Sequence, residues 1–134
     1  MNTTVIALVS TLVPMLAFDA VWLSTMAKRF YAPNLGVLMT DAPKFLPAGI
    51  FYLIYVCGVT VFVVLPAVNA NHSLLQTFLY GAFFGFVAYA TYDLTNQATL
   101  RDWPIIVTLV DLAWGTVLTG TVSIIAVSLT KHFS

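Results

Sequence analysis

The amino-acid sequence predicts an all-α polytopic membrane protein: four transmembrane helices in an antiparallel bundle. Three observations carry that expectation. Hydrophobic residues make up 60% of the chain and its mean hydropathy is +0.96. Only 7% of the residues are charged, against about 25% in soluble domains. Four stretches are each long and apolar enough to cross a hydrocarbon core, which takes roughly 18 or more residues. Residues 1–134 are expected to form a single transmembrane domain, since little sequence is left over for a soluble one.

The first span is expected from Val5 to Ala27, with Pro14 in its middle, where a bundle tolerates a kink. Its leading residues, MNTTVIALV, lack the basic start of a secretory signal, so the span is expected to be retained. The second is expected from Phe45 to Pro66. Pro47 falls in the first turn, where a missing N–H costs nothing, and Pro66 marks the end. The third, Leu74 to Ala98, opens on SLLQ, with Ser73 and Gln76 at capping-box spacing. The fourth, Trp103 to Leu129, has Asp102 as its expected cap, Pro104 in its first turn and Trp103 as an interfacial anchor. The connection KRFYAPNLGVLMTDAPK is too apolar for a free loop. Phe30, Tyr31, Leu35, Val37, Leu38 and Met39 are expected to lie in the membrane interface between helices one and two.

Four spans place both termini on one side, together with the AVNANHS turn, Lys131, His72 and His132. The other side carries Lys28, Arg29, Lys44 and Arg101, and the excess of basic residues assigns it to the cytoplasm. The formal net charge is zero, so a nucleic-acid partner has no electrostatic support. Cys57 is the only cysteine, which rules out an intramolecular disulfide. Both histidines lie away from the aspartates and the chain has no glutamate, so a zinc or di-iron centre is unsupported and no metal or cofactor is expected. No glycine-rich phosphate loop and no nucleophile–histidine pairing is evident.

The carboxylates inside the spans carry the functional expectation. Asp19 lies nine residues before Lys28, Asp93 eight before Arg101, and Asp111 nine after Asp102. Counted from the basic side, all three reach one depth, about 12 Å in at ~1.5 Å per residue. Span one reads DAVW from Asp19 to Trp22, and span four reads DLAW from Asp111 to Trp114. Aspartate and tryptophan three apart share a helix face, and the two motifs form an inverted echo or a coincidence. In span three, Gly81, Gly85, Tyr89 and Asp93 recur at steps of four, and GAFFG permits close backbone approach. Tyr92 and Asn96 flank Asp93. Tyr52 and Tyr55 of span two fall at the same depth as donors. The expected polar layer holds Asp19, Trp22, Tyr52, Tyr55, Tyr89, Asp93, Asn96, Asp111 and Trp114. A charge at the centre of a spanning helix costs roughly 2.5–3.5 kcal/mol, and no lysine or arginine lies within the spans. Either protons or an outside cation balance the layer, or the polar groups serve as glue between helices.

The runs FDAVWL, FYLIYVCGVTVFVVLPA and YATYDLTNQATLRDWPIIVTLVDLAWG resemble the bacterial membrane proteins catalogued as domain of unknown function 2177, over nearly the whole chain. Asp93, Asn96, Trp103, Pro104, Asp111, Trp114 and Gly115 stand at positions of that signature. The resemblance implies a four-helix protein of the bacterial inner membrane, which would make the outward termini periplasmic, and implies no activity. Three functions remain open. The layer would bind or translocate a proton or a small, cationic molecule, with a homo-oligomer as partner because four short spans rarely enclose a pathway alone. Alternatively, the chain is an intramembrane enzyme acting on a lipid or isoprenoid-like substrate. In the third reading it is an accessory subunit of a larger membrane complex. The lipid bilayer is the partner common to all three.

Overall fold

The computed structural model describes residues 2–134. All the regular structure in them is helical, and four helical runs are long and apolar enough to cross a membrane: Thr3–Leu38, Phe45–Asn69, Leu74–Thr99 and Ile105–Phe133. Outward-facing side chains are greasy. Phe45, Leu46, Val21 and Phe83 are each more than two-thirds exposed. The interior carries much of the polarity, with Thr11, Thr60, Thr77, Thr119, Ser123 and Thr130 buried beside Val59, Val64 and Val122. This distribution is the reverse of a water-soluble fold and fits a hydrocarbon surround. Some buried hydroxyls are satisfied within their own helices, Thr11 donating to the Ala7 carbonyl at 2.7 Å and Ser123 to the Thr119 carbonyl at 2.6 Å, while Thr60 donates across to Thr11 Oγ1 at 3.3 Å.

Helix α1 (Thr3–Met26) starts at Asn2, whose side chain accepts the Thr4 N–H at 2.7 Å. Its end differs from expectation. The chain stays helical beyond Ala27, through a π turn (Ala27–Tyr31), α2 (Ala32–Leu35) and a 3₁₀ turn ending at Leu38. Pro33 directly follows the π turn, whose wider backbone accommodates its ring. Gly36 adopts φ +55° just before the helical run ends.

Helix α3 (Phe45–Val59) also runs on, through a π turn (Thr60–Val64) into α4 (Leu65–Asn69). Pro66 was expected to stop this span and does not. Its ring would collide with the carbonyl four residues back in a regular helix, and the wider π turn just before it accommodates the ring. Helix α5 (Leu74–Thr99) has the expected capping box: Ser73 and Gln76 exchange bonds of 3.0 and 3.1 Å.

Helix α6 (Ile105–Phe133) begins two residues later than Asp102 would require of a cap, with Pro104 at the cap position instead. Asp102 instead takes the left-handed conformation, φ +62°, in the α5–α6 turn, a state that short polar side chains tolerate. The turn is clamped by a triangle. The Gln97 amide donates to the Trp103 carbonyl (2.7 Å), the Trp103 indole to Thr108 Oγ1 (3.1 Å), and Thr108 to Gln97 Oε1 (2.9 Å). Trp103 is therefore only 8% exposed rather than an interfacial anchor, with Tyr92 edge-on to its ring.

The closest packing lies between α5 and α6. A Cβ on Gly85 would lie 2.6 Å from Thr119 Oγ1 and closer still to the Gly115 carbonyl. Only glycine allows this approach. The stripe Gly81, Gly85, Tyr89 and Asp93 thus faces α6, and this sets where Asp93 ends up.

Candidate functional site

A cavity of about 420 Å³ opens at the basic end of the bundle, a size within the range of small-molecule pockets. α1 contributes Asp19, Trp22 and Leu23 to its lining, α3 contributes Phe51, Tyr52 and Tyr55, α5 contributes Ala88, Tyr89 and Tyr92, and α6 contributes Asp111 and Trp114. The helical extension of α1 closes over it with Ala27, Tyr31, Leu35 and Met39.

The two tryptophans stack face to face, with ring centroids 4.2 Å apart and planes 7° from parallel. Helices α1 and α6 run antiparallel, so this stack joins the two Asp-x-x-Trp motifs head to tail. The Trp114 indole donates to Asp19 Oδ1 at 3.1 Å, and Tyr52 donates to Asp19 Oδ2 at 2.7 Å. On the other side of the stack, the Trp22 indole donates to the Tyr31 hydroxyl at 3.0 Å, and Tyr31 donates in turn to Asp111 Oδ1. Each indole therefore serves the carboxylate of the opposite helix, one directly and one through a tyrosine. Hydrogen bonds to an ionised carboxylate are the strong class, but they leave the charge itself unbalanced. No lysine, arginine or histidine lines the cavity.

Seven of the nine residues expected in the layer surround this one cavity: Asp19, Trp22, Tyr52, Tyr55, Tyr89, Asp111 and Trp114. Tyr55 was expected to serve the carboxylates but pairs with Thr119 Oγ1 at 2.6 Å, forming the floor. Asp93 does not reach the cavity. It is fully buried, neither of its oxygens has a hydrogen-bond partner, and Asp111 is its neighbouring carboxyl. The cause is the glycine stripe: turning Gly81 and Gly85 onto α6 turns Asp93 into the same seam. Asn96 is half-buried outside the lining, its carbonyl accepting the Leu100 N–H at 2.8 Å. Among the described residues, no three His, Cys, Asp or Glu side chains gather closely enough to hold a metal.

Tyr31 is the residue that sequence reasoning left outside the layer. Nine residues at ~100° each would place it on the face opposite Trp22 in a regular helix. The π turn holds an extra residue and sets the phase back by about 100°, which brings the two rings within reach. Pro33 and Gly36 signal a helical segment there, but nothing in the sequence signals the wider turn.

The model of the family described as "Predicted membrane protein (DUF2177)" matches residues 4–128. The chain belongs to the DUF2177 family. No curated protein and no solved structure matches it. The match on DUF2177 takes in every residue of the cavity, so the stacked tryptophans and both aspartates lie within the family region.

Proposed function

We propose that the chain binds a small organic cation at this cavity, in the cytoplasmic half of a bacterial inner membrane with its termini on the periplasmic side. The observation that carries this reading is the pairing of Asp19 and Asp111 with aromatic walls and with no basic residue in the lining. Eight of the fifteen lining residues are aromatic, and ring faces attract ammonium groups by up to ~2 kcal/mol when desolvated. Tyr52, Trp114 and Tyr31 hold the two carboxylates in fixed orientations at the cavity wall.

Binding is favoured over passage through one chain. Beyond the Tyr55–Thr119 floor the bundle is filled by Val59, Met15 and Val122, each at most 1% exposed. Transport would therefore call for a second copy or a change of packing.

The test is calorimetric titration of the purified protein with benzyltrimethylammonium. Asp111→Asn keeps an acceptor for Tyr31. Asp19→Asn keeps one for either Trp114 or Tyr52 and turns an NH2 toward the other. Both remove charge. Each is expected to weaken binding at least tenfold, about 1.4 kcal/mol. Unchanged affinity in both variants would refute the reading. A second reading, with the layer as helix glue, draws support from the Tyr52–Asp19 and Trp114–Asp19 bonds, which tie α3 and α6 to α1. It expects the same variants to change thermal stability while no cation binds to any form.

A further inference from the structure

The bundle is sealed at the cavity's floor and parted at its flank. At the level of Gly58, α3 meets α5: a Cβ there would lie 2.9 Å from Phe84 Cζ, and the Tyr55 ring stands edge-on to Phe84 at 5.6 Å. Tyr55 also meets Tyr89 edge-on at 6.4 Å, and from Tyr55 toward Phe45 the two helices separate. Phe51, Leu53 and Ile54 are 46–66% exposed, and α3 packs along α1 without sustained contact to α5. Beyond Tyr55, Phe51 on α3 and Ala88 and Tyr92 on α5 line the cavity. The end of the cavity nearer to water is covered by the helical extension of α1, through Tyr31, Leu35 and Met39. The open side thus lies between two lipid-facing helices, at the depth of the carboxylates. Asp111 is six residues into α6, about 9 Å from its start at ~1.5 Å per residue.

A hydrated small ion has no easy path through a side opening that faces hydrocarbon. An amphiphile does, because its tail is already dissolved there. The wall of Leu23, Ala27, Leu35 and Ala88 is suited to a hydrocarbon chain, while Asp19 and Asp111 are suited to its head. We propose that the cavity is entered laterally from the bilayer between α3 and α5, and that its occupant is a single-chain cationic amphiphile, a long-chain amine or quaternary ammonium. This rests on the cation reading above and adds the route and the tail.

The experiment uses the full chain in phosphatidylcholine nanodiscs. The probe is dodecyltrimethylammonium brominated at the chain end, which quenches tryptophan emission on contact. Brominated dodecyl sulfate is the anionic counterpart and tetramethylammonium the tailless one. Saturable quenching by the cationic probe is expected, with little from the anionic one. Ala88→Phe, which narrows the gap and fills part of the wall that takes the tail, is expected to weaken the brominated cation at least tenfold, and by a larger factor than it weakens tetramethylammonium. Phe51→Ala, which widens the gap at an exposed site, is expected to speed the onset of quenching and provides the test should Ala88→Phe not fold. Tetramethylammonium binding without saturable quenching by the amphiphile would overturn lateral entry and leave the cation site standing. So would amphiphile binding that is the same in both gap variants. Equal quenching by the anionic probe overturns the assigned head group, and failure of every cation to bind overturns the cation site itself.

Discussion

Tyr31→Phe isolates the latch over the cavity. The substitution keeps the ring and deletes one oxygen, and that oxygen makes two bonds: it donates to Asp111 and accepts from the Trp22 indole. A bond to a charged group contributes about 1.5–3 kcal/mol and a neutral one about 0.5–1.5. The site is half-buried, so water replaces part of what is lost, and about 2 kcal/mol is the expected net cost. Little else holds the segment down. None of the residues from Ala27 to Leu38 is buried, and Val37 is fully exposed. The cost should therefore appear as local opening rather than as global unfolding. Amide hydrogen exchange read by mass spectrometry is the assay. Two kcal/mol corresponds to roughly 30-fold faster exchange over residues 31–38, with α5 and α6 unchanged. If exchange over this stretch stays within twofold of the parent protein, Tyr31 is not what holds the cover, and the inferred latch is wrong.

Other perturbations reach the rest of the structure. Gly85→Ala forces a methyl against Thr119 and the Gly115 backbone, and overpacking of this kind costs about 1–3 kcal/mol. A clear drop in the thermal midpoint in detergent is expected, with Gly49→Ala, whose Cβ would meet nothing within 4 Å, as the silent control. Asp93→Ala removes a buried carboxyl that has no partner and is expected to raise stability by up to ~1–3 kcal/mol, measured by the same melt. Thr108→Val breaks two sides of the triangle that clamps the α5–α6 turn. It should redden and weaken Trp103 emission as that ring loosens, and an unshifted spectrum would show that the clamp is not needed.

Legibility followed the kind of signal involved. Apolar length and capping chemistry are local, so the four spans and the Ser73–Gln76 box were readable. Depth along a helix is a matter of counting, so Asp19 and Asp111 could be set at one level before any packing was known. Rotation about the helix axis is not local. Asp93 shares that level but faces the α5–α6 seam, because Gly81 and Gly85 fix which side of α5 meets its neighbour. The stripe itself was visible, and its direction was not. The π turns were the other blind spot. They carried helices past Ala27 and Pro66, and one of them swung Tyr31 onto Asp111. A wider turn arises where a proline ring or a tertiary contact requires it, and neither composition nor periodicity marks it. Trp103 went astray for a related reason: an indole at a helix start reads as an interfacial anchor until Gln97 and Thr108 fold back to cover it.

The cross-pairing of the two Asp-x-x-Trp motifs bears on whether the polar layer is more than glue. An antiparallel register that sets Asp19 level with Trp114 also sets Trp22 level with Asp111, so a single stack of rings brings both carboxylates to the same wall. Glue would be served equally well by any donor on a neighbouring helix, and it would exclude space rather than enclose it. Here the donors approach the carboxylates while about 420 Å³ is kept open in front of them. The bonds also draw on three sides of the opening: α3 through Tyr52, α6 through Trp114, and the covering segment through Tyr31. A ligand that displaced Tyr31 from Asp111 would take over its acceptor and release the cover in the same event. Occupancy of the cavity and opening of the Ala27–Leu38 segment are thereby linked, and by thermodynamic reciprocity whatever loosens the segment must also change the affinity for the ligand.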